Sequence, residues 1–169
     1  IMNSTSSEGS NGYLASGSSD NIRWEIVNSN TSSGTFDLLI RRGDDNSLQP
    51  VILEAWTGLT LDPYSPNYIS KVIGDTIANY DSANNQIKFS GSFANKSNYV
   101  RVKQVNYTTP NYLNSNGVIS NANYTDYIPV NASGTFGAAI GTIAGGANFY
   151  NNINSSNTQS APQRMLFVR

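Results

Sequence analysis

Hydrophobic and polar positions alternate with a period of two over several short stretches of this chain, and switch to a helical spacing only once. In residues 22–27 the residues Ile22, Trp24 and Ile26 fall on one side, with Arg23 and Glu25 on the other. Phe36, Leu38 and Ile40 line one face of the next stretch, with Asp37 and Arg41 opposite. After the turn residues Gly43-Asp44-Asp45-Asn46 and a connection over 47–50, residues 51–56 read as a further strand. Two such strands joined by a polar loop, longer than the tightest hairpin turns, predict an antiparallel hairpin whose register the sequence leaves open. Residues 66–74 change period: Ile69, Val72 and Ile73 share one face of a two-turn helix. Ser65 is the expected N-cap, Pro66 the first helical residue and Gly74 the C-cap. So short a helix is unstable alone and must dock on the sheet. Residues 86–89 and 99–105 read as strands, and 106–129 as long loop with one short strand.

These elements predict an α+β domain, a small and mainly antiparallel sheet with the short helix packed on one face, carrying long Asn/Ser/Gly-rich loops. The expected division is a polar linker over 1–20, the α+β domain over 21–105, and a loop-rich extension over 106–169 ending in a strand-like run. The predicted core is Trp24, Phe36, Leu38, Ile40, Leu53, Ile69, Val72, Ile73, Val100 and Val102.

Composition sharpens this picture. At 169 residues the chain fits one domain with appendages. Charged residues make up only 12%, about half the usual share. Asn and Ser replace them, together exceeding a quarter of the chain, and both favour turns and polar loops. Net charge is −1, and the densest basic pairs, Arg41-Arg42 and Arg101/Lys103, give no footprint for a phosphate backbone. On strands these pairs read as solvated faces or inter-subunit ion-pair partners, and nucleic-acid binding is not expected. The sequence holds no Cys and no His, which excludes disulfides, Cys/His zinc sites and Ser-His-Asp or Cys-His catalysis within it. The start, Ile1-Met2-Asn3-Ser4, leads into no apolar core, and neither a signal peptide nor a transmembrane span is expected. A chain running from Ile1 to the strand-like Met165-Leu166-Phe167-Val168-Arg169 reads as a piece of something larger.

Candidate chemistry is sparse. Asp44-Asp45-Asn46 offers oxygen ligands for a cation, but lacks the alternating spacing and distal glutamate of a calcium loop, and the turn reading is preferred. Glu54 and Asp62 could pair as acids across a cleft, but each also has a simple structural role as a strand-face and a pre-helix residue. The GTFGAAIGTIAGG run over 134–146 contains GxxxG spacing in too short an apolar segment for a membrane helix, and reads as a glycine-rich loop or tight turn. Trp24 and Trp56 belong to strand patterns and are assigned to core or interface packing. Tyr107, Tyr112, Tyr124 and Tyr127 are the better candidates for exposure. No catalytic, cofactor-binding or metal-binding residue is nominated, and no cofactor is expected.

One stretch, residues 35–75, resembles a known family in its punctuation. Val51-Ile52-Leu53-Glu54-Ala55-Trp56 leads into Leu59-Thr60-Leu61-Asp62-Pro63, then Ser65-Pro66-Asn67-Tyr68-Ile69 and Val72-Ile73-Gly74. That order is similar to the strand, Asp-Pro turn and Tyr-Ile-initiated helix of the sheath protein of contractile phage tails. A strand of the kind at 99–105 follows in that family too, and the resemblance covers roughly residues 19–105. It implies a structural subunit of the virion tail, assembled in the host cytoplasm, with neighbouring sheath subunits and the tail tube protein as partners. Sheath subunits ring the tube and contract to drive it through the host envelope, without hydrolysis or cofactor. Terminal arms in that family tie neighbours by adding strands to one another's sheets. Neither those arms nor the C-terminal assembly core is recognisable here, so the chain corresponds to a middle region and is expected to be monomeric alone. The alternative is a secreted or surface β-rich adhesin or carbohydrate-binding module, favoured by the Asn/Ser/Tyr composition. An enzyme is not expected.

Overall fold

Period-two patterning produces three long strands in succession: β1 (Ile22–Asn30), β2 (Thr35–Arg42) and β3 (Ile52–Thr60). The structure, a computed structural model, describes residues 9–14, 17–136 and 165–168. β1 and β2 pair antiparallel with Trp24 opposite Ile40 and Ile26 opposite Leu38. β2 pairs antiparallel with β3, as the hairpin reading predicts. An irregularity sets Thr57 and Gly58 against Asp37 alone, so that Leu38 faces Trp56 while Phe36 faces Leu59. The Gly58 N–H donates to Asp37 Oδ1 at 2.7 Å and fixes this bulge. A fourth strand, β7 (Ala132–Thr135), comes from the second half of the chain and pairs with the free side of β1, giving the sheet order β3-β2-β1-β7.

The α-helix α1 (Ile69–Ile73) packs against β3 and β6 (Arg101–Val105). Its start differs from the sequence expectation. Ser65 does not cap it, and Tyr68 holds the cap position with no side-chain cap bond. Residues 62–67 instead form successive turns: Asp62 Oδ1 accepts from the Tyr64 N–H at 2.9 Å, and Ser65 Oγ from the Asn67 N–H at 3.1 Å. The Thr60 N–H donates to the Asn67 carbonyl at 3.0 Å and holds Tyr68 itself out of the helix. Local side-chain bonds thus outcompete the helix at residues 66–68. The C-cap is Gly74, as expected. Its φ of 105° and a backbone so close that a Cβ would sit 2.3 Å from Asn95 Cα both require glycine.

Two smaller two-stranded sheets complete the fold. β4 (Ile77–Asp81) and β5 (Gln86–Ser90) form a hairpin, and β6 pairs antiparallel with β8 (Met165–Val168). β4 falls within a stretch read from sequence as a polar connection, and residues 122–127 form a 3₁₀ turn in a region expected to be loop with one strand. This is a small α+β fold, mostly antiparallel sheet with short helical pieces. The core unites Ile22, Trp24, Ile26, Phe36, Leu38 and Ile40 with Leu59, Leu61, Ile69, Ile73, Val100, Val102 and Phe136. Leu53 and Val72, predicted as core, are partly buried against it. The glycine-rich run from 137 onward and the polar tract at 151–160 lie outside the described residues.

Candidate functional site

The face of the sheet opposite the apolar core carries the Asp-rich turn. Arg23 and Arg41 stand directly opposite each other on β1 and β2, a like-charged cross-strand pair that by itself destabilises a sheet. Asp45 resolves the conflict. Its carboxylate accepts from Arg41 Nε at 2.7 Å and Nη2 at 2.9 Å, and from Arg23 Nη1 at 3.3 Å. It also accepts the Val51 N–H at 2.8 Å, tying the turn to the entry of β3. Arg41 donates further to Glu25 at 2.9 Å, and Arg23 to the Gly12 carbonyl at 2.8 Å. The Arg23, Arg41 and Asp45 side chains are 0%, 1% and 0% exposed. Burial by itself lowers the Arg41 guanidinium, but the hydrogen bonds and charge of Asp45, joined by Glu25, outweigh it and raise the group above its ordinary value. Of the three candidate cation ligands, Asp45 is therefore committed to arginine, and Asp44 bonds the neighbouring Arg42. Asn46 Oδ1 caps the backbone of Leu48 and Gln49 at 2.8 and 2.9 Å. Among the described residues no group of acidic side chains could hold a metal ion.

The turn reading of residues 44–46 holds, and the reading of Arg41 as a solvated or inter-subunit residue is corrected. A strand-face arginine looks exposed from periodicity, but here the loop over 43–51 and residues 9–14 cover that face. Leu14, in the segment read as polar linker, is buried, and the Tyr13 hydroxyl accepts from Asn46 Nδ2 at 2.8 Å.

Glu54 and Asp62 are not brought together as an acid pair. Glu54 accepts from Trp56 Nε1 at 3.2 Å, Ser97 Oγ at 2.5 Å and the Asn98 N–H at 2.8 Å, joining β3 to the segment before β6. Asp62 instead lines a small cleft at the end of β3 with Ser33, Thr60, Ser65, Thr109 and Tyr112. Trp24 is core, and Trp56 is partly buried against it. Of the four tyrosines expected to be exposed, Tyr112 is buried, with its hydroxyl donating to the Thr31 carbonyl. Tyr107, Tyr124 and Tyr127 are half-buried and cluster, with Tyr127 ring centroids 5.0 Å from Tyr107 and 5.9 Å from Tyr124.

The most distinctive surface was missed by periodicity. In the β4–β5 hairpin, Ala78 faces Phe89 and Tyr80 faces Ile87, so these four share one face. Tyr80, Ile87 and Phe89 are 65%, 64% and 73% exposed. Beyond Ile77 the other face is polar, with Lys88 Nζ 2.5 Å from Asp81 Oδ2. Lys88 and Asn84 hydrogen bonds hold the Asp81 carboxyl below its ordinary range. The base of the hairpin is pinned rather than loose. Asp75 Oδ1 accepts from the Ser92 and Phe93 N–H groups at 2.8 and 2.7 Å, and Thr76 Oγ1 donates to the Phe93 carbonyl at 2.7 Å. The signal available in sequence was the alternation of Ala78 and Tyr80 with Ile77, Asn79 and Asp81, obscured by its brevity. Among the described residues no helix is long and apolar enough to cross a membrane.

Comparison with known proteins returned no matching family model, no matching curated protein and no matching solved structure.

Proposed function

We propose that this chain is the middle region of a contractile tail sheath subunit, a virion component that surrounds the tail tube and contracts to drive it through the host envelope. The observation that carries the reading is the unit from β2 to Gly74. Its strand, Asp-Pro turn and Tyr-Ile-started helix are the residues that resemble the sheath family, and they form one docked assembly on the core. A chain built to be covered by copies of itself also accounts for a pinned hairpin with an exposed apolar face. Burying a large apolar side chain contributes about 1.5–3 kcal/mol, so Tyr80, Ile87 and Phe89 together offer a useful share of a subunit contact. β3 and β7 stand at the edges of the four-stranded sheet as described, where a neighbour's arm could add a strand. Contraction in such a lattice is a re-docking of subunit faces between two packings, and asks of this domain stiffness rather than chemistry.

The test is localisation. Antibodies raised against the chain, applied to particles from its source sample, should decorate a contractile tail along its length in extended and contracted forms. Decoration of cell surfaces or fibres instead favours the adhesin or carbohydrate-binding reading.

A further inference from the structure

Two apolar patches of this chain are open to solvent, and they belong to different parts of the fold. The first is the β4–β5 hairpin face of Tyr80, Ile87 and Phe89, each about two-thirds exposed. The second gathers around Asn46. The Asn46 side-chain amide donates to the Tyr13 hydroxyl at 2.8 Å and accepts the Leu48 N–H at 2.8 Å. The Asn46 carbonyl accepts from Arg41 Nη2 at 2.9 Å, and Arg41 stands opposite Ile52 of β3. Tyr13, Leu48 and Ile52 are thereby brought together, and they are 47%, 90% and 49% exposed.

The patches match in size and in charge. At these exposures each offers roughly 400 Å² of apolar surface, an extent at which a patch on a single chain is often functional. Lys88 and Asp81 pair with each other on the far face of the hairpin. Beside the second patch, Arg42 is paired with Asp44, and Arg41 with Asp45 and Glu25. Contact between the two patches therefore strands no charge. Neither patch covers the other within one chain, since both remain exposed. The hairpin is rooted directly after α1, which packs into the core, whereas the second patch belongs to the segments over the opposite face of the main sheet.

We propose that the hairpin face of one copy docks on the Tyr13–Leu48–Ile52 patch of a second copy of this chain. The contact is heterologous: each copy uses its hairpin on one neighbour and its second patch on another. Association then continues head to tail into a ring or a helical filament. This deepens the sheath reading and rests on it for the lattice the contact serves, while the association itself is measured in solution, apart from any virion. Hairpin docking on hairpin would instead be isologous, would end at a dimer and would leave the second patch bare. A lipid surface fits less well, because Lys88 is the only basic residue of the hairpin and is held by Asp81 on its far face. Roughly 400 Å² per partner is about half of what a standard interface buries, so a single contact is weak, with Kd on the order of 0.1–1 mM. A lattice that shifts between two packings draws its strength from the number of such contacts.

The experiment is sedimentation equilibrium of the 169-residue chain at concentrations up to about 1 mM. The average mass should rise with concentration and pass that of a dimer. Phe89→Ser and Leu48→Ser each change a surface residue, so each should keep the parent's Tm while weakening association about tenfold or more. Mixed in equal amounts, the two variants should associate again, because each retains the patch the other lacks, and the mixture should stop at a dimer. The proposal is overturned if the parent stays monomeric throughout, whether or not it binds phosphatidylcholine vesicles. It is also overturned if Leu48→Ser alone still forms dimers as readily as the parent, or if the mixture stays monomeric. Labelled tails with a monomeric chain would remove this contact and leave the sheath reading standing, and complementation with unlabelled tails would do the reverse.

Discussion

Replacing Asp45 with alanine removes the one carboxylate that separates two opposed arginines. Arg23 and Arg41 would be left facing each other across β1 and β2 with side chains 0% and 1% exposed. Truncating one partner of a buried ion pair costs about 3–5 kcal/mol because a buried charge loses its counter-ion, and Arg41 keeps its bond to Glu25 at 2.9 Å, which holds the cost within that range. The Val51 N–H loses its acceptor as well, a further penalty of about 1–3 kcal/mol if no water reaches it. These terms share one site and do not simply add, so the expected loss is about 3–5 kcal/mol. For a chain of this length each kcal/mol moves Tm by about 2–4 °C, which gives a fall of roughly 6–20 °C. Urea unfolding followed by tryptophan fluorescence suits the measurement, since Trp24 lies in the core on the adjoining strand. Asp44→Ala is the internal control. Its pair with Arg42 is 34% and 41% exposed, so that change should cost less than about 1 kcal/mol. Equal effects for the two neighbours, or a loss below about 1 kcal/mol for Asp45→Ala, would refute the ionic account of this face.

Three other outcomes are expected. Ile69→Asp places an unpaired charge where the helix meets the core and should cost about 4–5 kcal/mol or more, so a melting temperature equal to the parent's would sink the docking of α1. The Asp81 carboxyl should titrate below its ordinary 3.8, and its support of the hairpin is therefore present above that value and lost as pH falls through the depressed one. Lys88→Ala should move the Asp81 midpoint, followed by carboxyl NMR, back up towards 3.8, and an unmoved midpoint would remove the ion pair from the explanation. Phe89→Ser should leave unfolding stability within about 0.5 kcal/mol of the parent's, as for a surface change. On the sheath reading it should nevertheless impair assembly when carried in the intact subunit, and normal assembly would clear the hairpin face of any role in contacts.

Much of the fold was readable because its signals are local. Ile22, Trp24, Ile26, Phe36, Leu38 and Ile40 recur at every second position, and that period is what a sheet with one buried face demands. The helix was readable through Ile69 and Ile73, while its start was not. The Asp62 and Ser65 side chains look like caps in either conformation, and only the pairing of Thr60 with Tyr68 shows that the helix starts after Tyr68. Asp44 and Asp45 are indistinguishable as neighbours in a turn, yet one is a buried counter-ion and the other lies near the surface. That difference is set by which loop covers the sheet, a non-local fact. Arg41 was misread for the same reason. The cleft at the end of β3 was invisible because its lining residues come from positions as distant as Ser33, Thr60 and Thr109, each unremarkable among so many polar residues. β4 was passed over since five residues with Asn79 and Asp81 among them carry too little apolar signal to separate strand from loop.

Immunogold electron microscopy on particles from the source sample, with antibodies against this chain, tests the central claim most directly. The sheath reading predicts regular labelling along a contractile tail, before and after contraction. Labelling confined to cell surfaces or fibres, with contractile tails in the same field left bare, would contradict it.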